Sequence, residues 1–96
     1  MKRQGDLLII KVDKIPEGTV KRQSRILAEG EATGHMHELD QGEVYEKEGT
    51  LYFKVAQGEI STLNHPEHKA VTFGSGEYKV IKQREYEPRG WKFVAD

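Results

Sequence analysis

Residues 30–43, GEATGHMHELDQGE, contain three glycines and a His-x-His pair, and the glycines favour a strand over a helix. Glycine weakens a helix, and within a strand it often marks a bulge or a close approach of another backbone. Gly30 and Gly34 therefore indicate one bent strand over residues 28–39. The next three residues, DQG, indicate a turn that ends this strand.

The same segment carries two histidines at alternate positions. Successive side chains on a strand point to opposite faces of the sheet. We therefore expect one face to carry Thr33, His35, His37 and Leu39. Residues two apart on a strand have side chains separated by roughly 6.5–7 Å, so two imidazoles at this spacing can converge on one target.

A second histidine pair, His65 and His68, lies in the short segment NHPEHK, so all four histidines of the chain fall into two close pairs. Pro66 favours a turn here, because proline is excluded from a helix interior. We expect the strands to bring the two pairs together.

Elsewhere the chain reads as strand and turn, with turn signals about every eight to twelve residues, the spacing of a small β-sandwich or barrel. The run LLIIKV at Leu7–Val12 is typical of a strand buried on both faces. A hairpin is predicted between strands at 44–47 and 50–56, and the longest strand at 77–87. We therefore expect a mainly β protein with a single domain over residues 1–96.

Composition sets limits on partners and compartment. The 96 residues carry a formal net charge of −1, which gives no general footprint for duplex DNA. No apolar run is long enough to span a bilayer or to act as a secretory signal. The absence of cysteine suits a reducing cytoplasm. A chain of this size buries only about 60–65% of its unfolded surface, so dimerisation would help to stabilise it. We therefore expect a homodimer, located in the cytoplasm and without a membrane partner.

One chemistry open to two histidine pairs is cleavage of an RNA-type phosphodiester without a cofactor. The 2′-hydroxyl of RNA is the nucleophile, so the enzyme needs a base, an acid and a cation. Histidine suits both proton roles because its pKa lies near neutrality. We expect one proton partner from His35 or His37, the other from His65 or His68, and the cation from Arg84. Further substrate contacts are expected from Lys11, Thr33, Lys69, Lys82 and Tyr86.

The other chemistry is the binding of one divalent transition metal ion by His35, His37, His65 and His68, with an oxygen from Glu43 or Glu67. The segment is similar to the first cupin motif, whose Gly, His-x-His, Glu and Gly fall near Gly30, His35, His37, Glu43 and Gly49. The spacings between these residues differ from those of the first cupin motif by one or two positions. In the second cupin motif an Asn follows the His, whereas here Asn64 precedes His65. A cupin-like metal-binding barrel is thus the alternative, and a non-enzymatic interaction module is the third possibility.

Four segments together resemble a group of small bacterial and phage proteins: GDLLIIKVDKIP, LAEGEATGHMHEL, LNHPEHKAV and YKVIKQREYEP. They contain the TGH-x-H, H-x-E-H and QREY patterns of that group. The group is similar to the ring nucleases of type III CRISPR signalling, which degrade cyclic oligoadenylate and occur in hosts and viruses. The resemblance implies a metal-independent phosphodiesterase, dimeric, with a pocket for a cyclic oligonucleotide near the subunit interface, where a symmetric ligand suits a two-fold axis.

Overall fold

The computed structural model describes residues 1–29 and 35–83, which form ten strands in two antiparallel sheets. In chain order the strands are β1 Lys2–Gln4, β2 Leu7–Val12, β3 Val20–Arg22, β4 Ile26–Glu29, β5 Met36–Leu39, β6 Glu43–Lys47, β7 Thr50–Val55, β8 Ser61–Asn64, β9 Val71–Phe73 and β10 Gly76–Lys82. The larger sheet has the order β1-β2-β10-β7-β6-β3 and the smaller β4-β5-β8-β9. In the described part of the chain no helix has the length and apolar character needed to cross a membrane.

One hydrophobic core lies between the two sheets. Phe53 of the larger sheet is fully buried, with its ring centroid 4.9 Å from that of Tyr78 and 5.3 Å from that of Phe73 in the smaller sheet. Both sheets contribute further buried side chains, among them Leu7, Ile9, Leu27, Leu39 and Leu63. Burying each such side chain stabilises the fold by about 1.5–3 kcal/mol. The expectation of a small, mainly β domain is confirmed, and its described strands form a sandwich.

The hairpin of β6 and β7 is confirmed, and its turn has an evident local cause. Glu48 and Gly49 both have positive φ, at 52° and 85°. Two such residues form the turn whose twist matches that of the flanking strands. The expectation for Leu7–Val12 was partly wrong, because this strand is not buried on both faces: Leu7 and Ile9 are buried, whereas Leu8 and Ile10 on the other face are half-buried.

The single bent strand expected over residues 28–39 is wrong. Two antiparallel strands, β4 and β5, occupy its ends, with Ala28 paired to His37 and Glu29 paired to Met36. The glycines of this segment were interpreted as marks of a bulge, but glycine equally separates two strands of a hairpin. The strand expected at 77–87 begins as β10, and its last residues lie outside the described part of the chain.

Side-chain hydrogen bonds join the two sheets where β1 lies beside β9. Lys2 Nζ donates to Thr72 O, and Gln4 Nε2 donates to Leu63 O and to Lys69 O, both at 2.9 Å. Gln4 is only 2% exposed, and its bond to Leu63 O is buried. The junction ties β1 to β8 and to the loop that follows it, and the histidines gather there.

Candidate functional site

The four histidines lie next to one another at this junction, and we call His35, His37, His65 and His68 the histidine cluster. His65 is its centre: its ring centroid lies 4.3 Å from that of His37, 4.5 Å from that of His68 and 6.0 Å from that of His35. The rings of His37 and His68 are nearly parallel, at 6.0 Å. The fold therefore brings the two pairs, which are about thirty residues apart in sequence, into contact.

The pairing of β5 with β8 accounts for this contact. Glu38 pairs with Asn64 and Leu39 with Leu63, so the antiparallel register sets His37 opposite His65. Leu39 and Leu63 are fully buried and hold both strands on the core. A slip of one residue would turn these leucines out to solvent, so the hydrophobic core also fixes the register that assembles the cluster.

His37 is held by Gln4. Its ring is buried, at 5% exposure, and its Nδ1 lies 2.8 Å from Gln4 Oε1. The Gln4 amide nitrogen already donates its two hydrogens to backbone carbonyls, so the amide orientation is fixed and Oε1 can only accept. His37 Nδ1 must therefore carry the proton, and its Nε2 presents a lone pair.

Burial lowers the pKa of His37 to about 4 because the charged imidazolium is poorly solvated there. The neighbouring His65 and His68 act in the same direction, whereas Asp6, whose Oδ1 lies 4.0 Å from His37 Nε2, acts against it. At neutral pH the ring is uncharged, and Nε2 is free to accept a proton.

His65 has the opposite arrangement. The backbone N–H of Glu67 donates to His65 Nδ1 at 3.0 Å, so this nitrogen is the acceptor and the proton of the neutral ring sits on Nε2. Burial lowers the pKa of His65, and the positive charges of His68 and His35 lower it further. Two imidazoles in contact thus present different groups at Nε2: a lone pair on His37 and an N–H on His65.

Two carboxylates border the cluster. Glu67 Oε2 lies 3.3 Å from His35 Nε2, a distance at which the two groups form an ion pair when the ring is protonated. Asp6 approaches from the turn between β1 and β2. The cluster therefore contains His35 beside the Glu67 carboxylate and the buried, neutral ring of His37. Between them lies the ring of His65, whose Nε2–H is a donor.

Gly5 allows the turn before β2 to pack against the imidazoles. Its φ is +59°, and a Cβ at this position would lie 2.9 Å from His68 Nε2 and 3.2 Å from His37 Cε1. Only glycine combines this backbone conformation with this close an approach.

Sequence reasoning missed Gln4, Gly5 and Asp6. The letters QGD before LLIIKV carry a turn signal that would have predicted a β1–β2 hairpin. No signal in the sequence indicates that this turn contacts the histidines, because Gln4 and His37 are 33 positions apart.

The other expected site residues, Arg84 as the catalytic cation and five residues as substrate contacts, fall in three groups. Lys69 follows His68 directly in the chain. Lys82 pairs with Leu7, the residue after Asp6, but lines a cavity with Arg22 and Glu46 that contains none of the histidines. Lys11 pairs with Tyr78 at the other end of β2, and the fold does not bring it to the histidines. Three expected residues, Thr33, Arg84 and Tyr86, lie outside the described residues.

The two carboxylates expected as oxygen ligands of a metal ion lie in different parts of the fold. Glu67 borders the cluster, whereas Glu43 lies on the larger sheet, where it accepts hydrogen bonds from Tyr45 at 2.6 Å and Lys21 at 3.5 Å. Within residues 1–29 and 35–83, no group of three or more His, Asp or Glu side chains has the arrangement of a metal site.

Comparison with known proteins gives one family. A family model described as a domain of unknown function, DUF8820, matches residues 3–83 and therefore spans both sheets and all four histidines. No curated protein and no solved structure matches the chain.

Proposed function

We propose that the chain, which belongs to the DUF8820 family, is a metal-independent phosphodiesterase that cleaves RNA-type phosphodiester bonds. The observation that supports this best is the contact between His37 and His65, whose rings hold their protons on opposite nitrogens. Two neighbouring rings then carry a proton acceptor and a hydrogen-bond donor, the two kinds of group that cleavage at an RNA phosphate requires.

In the proposed reaction His37 Nε2 takes the proton of the 2′-hydroxyl while that oxygen attacks phosphorus. The bond from phosphorus to the 5′ oxygen breaks, and the leaving oxygen receives a proton from the imidazolium of His35, which Glu67 stabilises at 3.3 Å. The products are a 2′,3′-cyclic phosphate and a 5′-hydroxyl. One proton has moved in total from His35 to His37.

His65 lies between the two proton-transfer groups, with its ring 4.3 Å from His37 and 6.0 Å from His35. Its Nε2–H is suited to donate to a non-bridging phosphate oxygen, where negative charge increases in the transition state. Lys69, next to His68, supplies a positive charge near the same phosphate.

The low pKa of His37 is compatible with a role as base. Without substrate, the ring is neutral at physiological pH and its lone pair is available. A bound phosphate carries negative charge close to the ring, and this favours the protonated form and raises the pKa toward neutrality. His37 thereby becomes a stronger base only when the substrate is bound.

The substrate we propose is a cyclic oligoadenylate second messenger, on the basis of the TGH-x-H, H-x-E-H and QREY resemblance. A cyclic ligand with internal symmetry suits a homodimer whose two-fold axis passes through the pocket. A chain without cysteine suits the reducing cytoplasm.

The test is incubation of untagged protein with a panel of cyclic oligonucleotides in excess EDTA. We expect linear products with 2′,3′-cyclic phosphate ends, and a loss of about 10²–10⁴-fold in rate for His37→Ala with the fold retained. Lys11→Ala, at the far end of β2, serves as the control and should keep full activity. Activity that disappears with EDTA, or that survives in His37→Ala, would contradict the proposal.

A metal-binding role is the second candidate, and one observation favours it. A histidine that ligates a metal through one ring nitrogen usually donates a hydrogen bond from the N–H of the other to a fixed acceptor, as His37 Nδ1–H does to Gln4 Oε1. His65 could ligate through Nε2 only by giving up its bond from the Glu67 N–H. Elemental analysis of untagged protein decides between the two: one bound transition metal ion per chain favours this candidate.

A further inference from the structure

A shallow, open depression of about 330 Å³ lies beside the histidine cluster, on the outer face of the smaller sheet. Its walls are Met36, Glu38, Asn64, His65 and Pro66. His65, directly after β8, both lines the depression and belongs to the cluster, whereas Glu38 and Asn64 lie on the opposite face of their strands from the buried His37. A nucleotide whose phosphate lies at the cluster would therefore reach the depression by passing the His65 ring. Its volume falls within the range of small-ligand sites.

The polar groups of this depression are suited to a base rather than to a phosphate. Glu38 contributes a carboxylate, which repels phosphate, and both Glu38 and Asn64 are exposed. Glu38 and Asn64 are cross-strand partners in β5 and β8, so their side chains project from the same face about 4.5–5.5 Å apart. Together they offer several hydrogen-bond acceptors and one amide NH₂ group with two donor hydrogens.

The apolar walls complete the match to a flat heterocycle. Met36 is half-buried and presents a polarisable thioether, which contacts aromatic rings favourably. Pro66 supplies a rigid apolar surface on the loop after β8. A base placed between these side chains keeps its polar edge toward Glu38 and Asn64.

We propose that this depression is the subsite for an adenine base next to the cleaved phosphate, an inference that rests on the function proposed above. Asn64 pairs with adenine through two hydrogen bonds, the pairing that carboxamide side chains favour. Glu38 accepts the second hydrogen of the exocyclic amino group. Hypoxanthine has a carbonyl in place of that amino group, so it loses the two bonds made by the amino hydrogens, keeps only the bond at N7 and places an oxygen beside the carboxylate.

The experiment compares the binding of two probes, adenosine 3′-monophosphate and inosine 3′-monophosphate, to the full chain by calorimetry and by backbone NMR shifts. We expect the adenosine probe to bind about tenfold more tightly or better, with shifts at Met36, Glu38 and Asn64. Asn64→Ala should reduce that preference to about twofold or less. Thr72→Ala, on the same outer face in β9, should leave it unchanged.

Equal affinity for the two probes, tighter binding of guanosine 3′-monophosphate, or shifts confined to other faces would overturn the subsite. The binding assay needs no catalysis, so its result is separate from that of the cleavage assay. Cleavage of substrates regardless of their base would refute the adenine subsite but would support the proposed phosphodiesterase activity. Selective adenine binding at Asn64 without any cleavage would support the subsite and refute the phosphodiesterase.

Discussion

The side chains of Gln4 and His37 are joined by a 2.8 Å hydrogen bond that determines which nitrogen of the histidine carries the proton. Gln4 can play this part because its own amide hydrogens are bound to Leu63 O and Lys69 O. One residue thus connects the two sheets and orients a buried imidazole. The consequences of this arrangement can be measured in stability and in catalysis.

Gln4→Leu should destabilise the protein by about 2–4 kcal/mol, because it removes the hydrogen bonds to Leu63 O and Lys69 O and takes the acceptor from the buried His37 Nδ1–H. Urea unfolding followed by circular dichroism measures the loss. Gln41→Leu is the matched control: Gln41 donates to Ile60 O at an exposed position, so its replacement should change stability by less than about 1 kcal/mol. Equal effects of the two substitutions would show that the Gln4 bonds are dispensable.

Gly5→Ala should disrupt the cluster beyond the effect of backbone strain alone. The added Cβ meets His68 Nε2 at 2.9 Å, and the positive φ costs about 1–2 kcal/mol for an L-residue. Gly49→Ala isolates the strain, because Gly49 also has positive φ but a Cβ added there would have none of the described atoms within 4 Å. We expect both variants to lose stability and only Gly5→Ala to shift the imidazole NMR signals. Unshifted imidazoles in Gly5→Ala would contradict the close approach.

Stability should fall as the pH is lowered from about 6.5 to about 4. The pKa of His37 is about 4 in the folded protein and 6.5 when the ring is solvated, so in this range the unfolded chain binds a proton that the folded one does not. The lowered pKa of His65 acts with the same sign. The loss due to His37 is at most about 3 kcal/mol.

Urea unfolding at several pH values checks this slope. His37→Gln removes the titrating ring, so we expect a flatter dependence between pH 4 and pH 6.5 in that variant. The same slope in both proteins would show that His37 is not held in its neutral form.

The acid and base roles can be separated with a substrate whose 5′ leaving oxygen is replaced by sulfur. A thiolate leaves without being protonated, so the acid is no longer needed while the base still is. We expect this substrate to restore the rate of His35→Ala to within about tenfold of wild type. The rate of His37→Ala should stay at least about a hundredfold lower. Rescue of His37→Ala instead would mean that the two roles are reversed.

The chain's local features were predictable because they depend on near neighbours. Glu48 and Gly49 indicate a hairpin turn, and the alternation of Leu51, Phe53 and Val55 identifies the buried face of β7. The division of residues 26–39 into two strands was not predictable from glycine alone, since a bulge and a hairpin use the same residue. Only the pairing of Ala28 with His37 distinguishes them.

The predictable part of the site consists of its histidines and Glu67. The grouping of the histidines in two pairs pointed to a shared location, but the roles of the rings depend on contacts made across the fold. The bond of His37 to Gln4 spans 33 positions, and no pattern near either residue indicates it. The bond from the Glu67 N–H to His65 is local, yet it depends on the conformation of the loop after β8 rather than on residue type.

The central claim is that His37 and His65 present opposite groups to one substrate. Long-range ¹H–¹⁵N correlation spectra of the imidazoles at pH 7 test it most directly, with each ring assigned through a single histidine substitution. We expect His37 to carry its proton on Nδ1 and His65 to carry its proton on Nε2. Spectra in which both rings show the same tautomer, or in which His37 is an imidazolium at that pH, would contradict the claim.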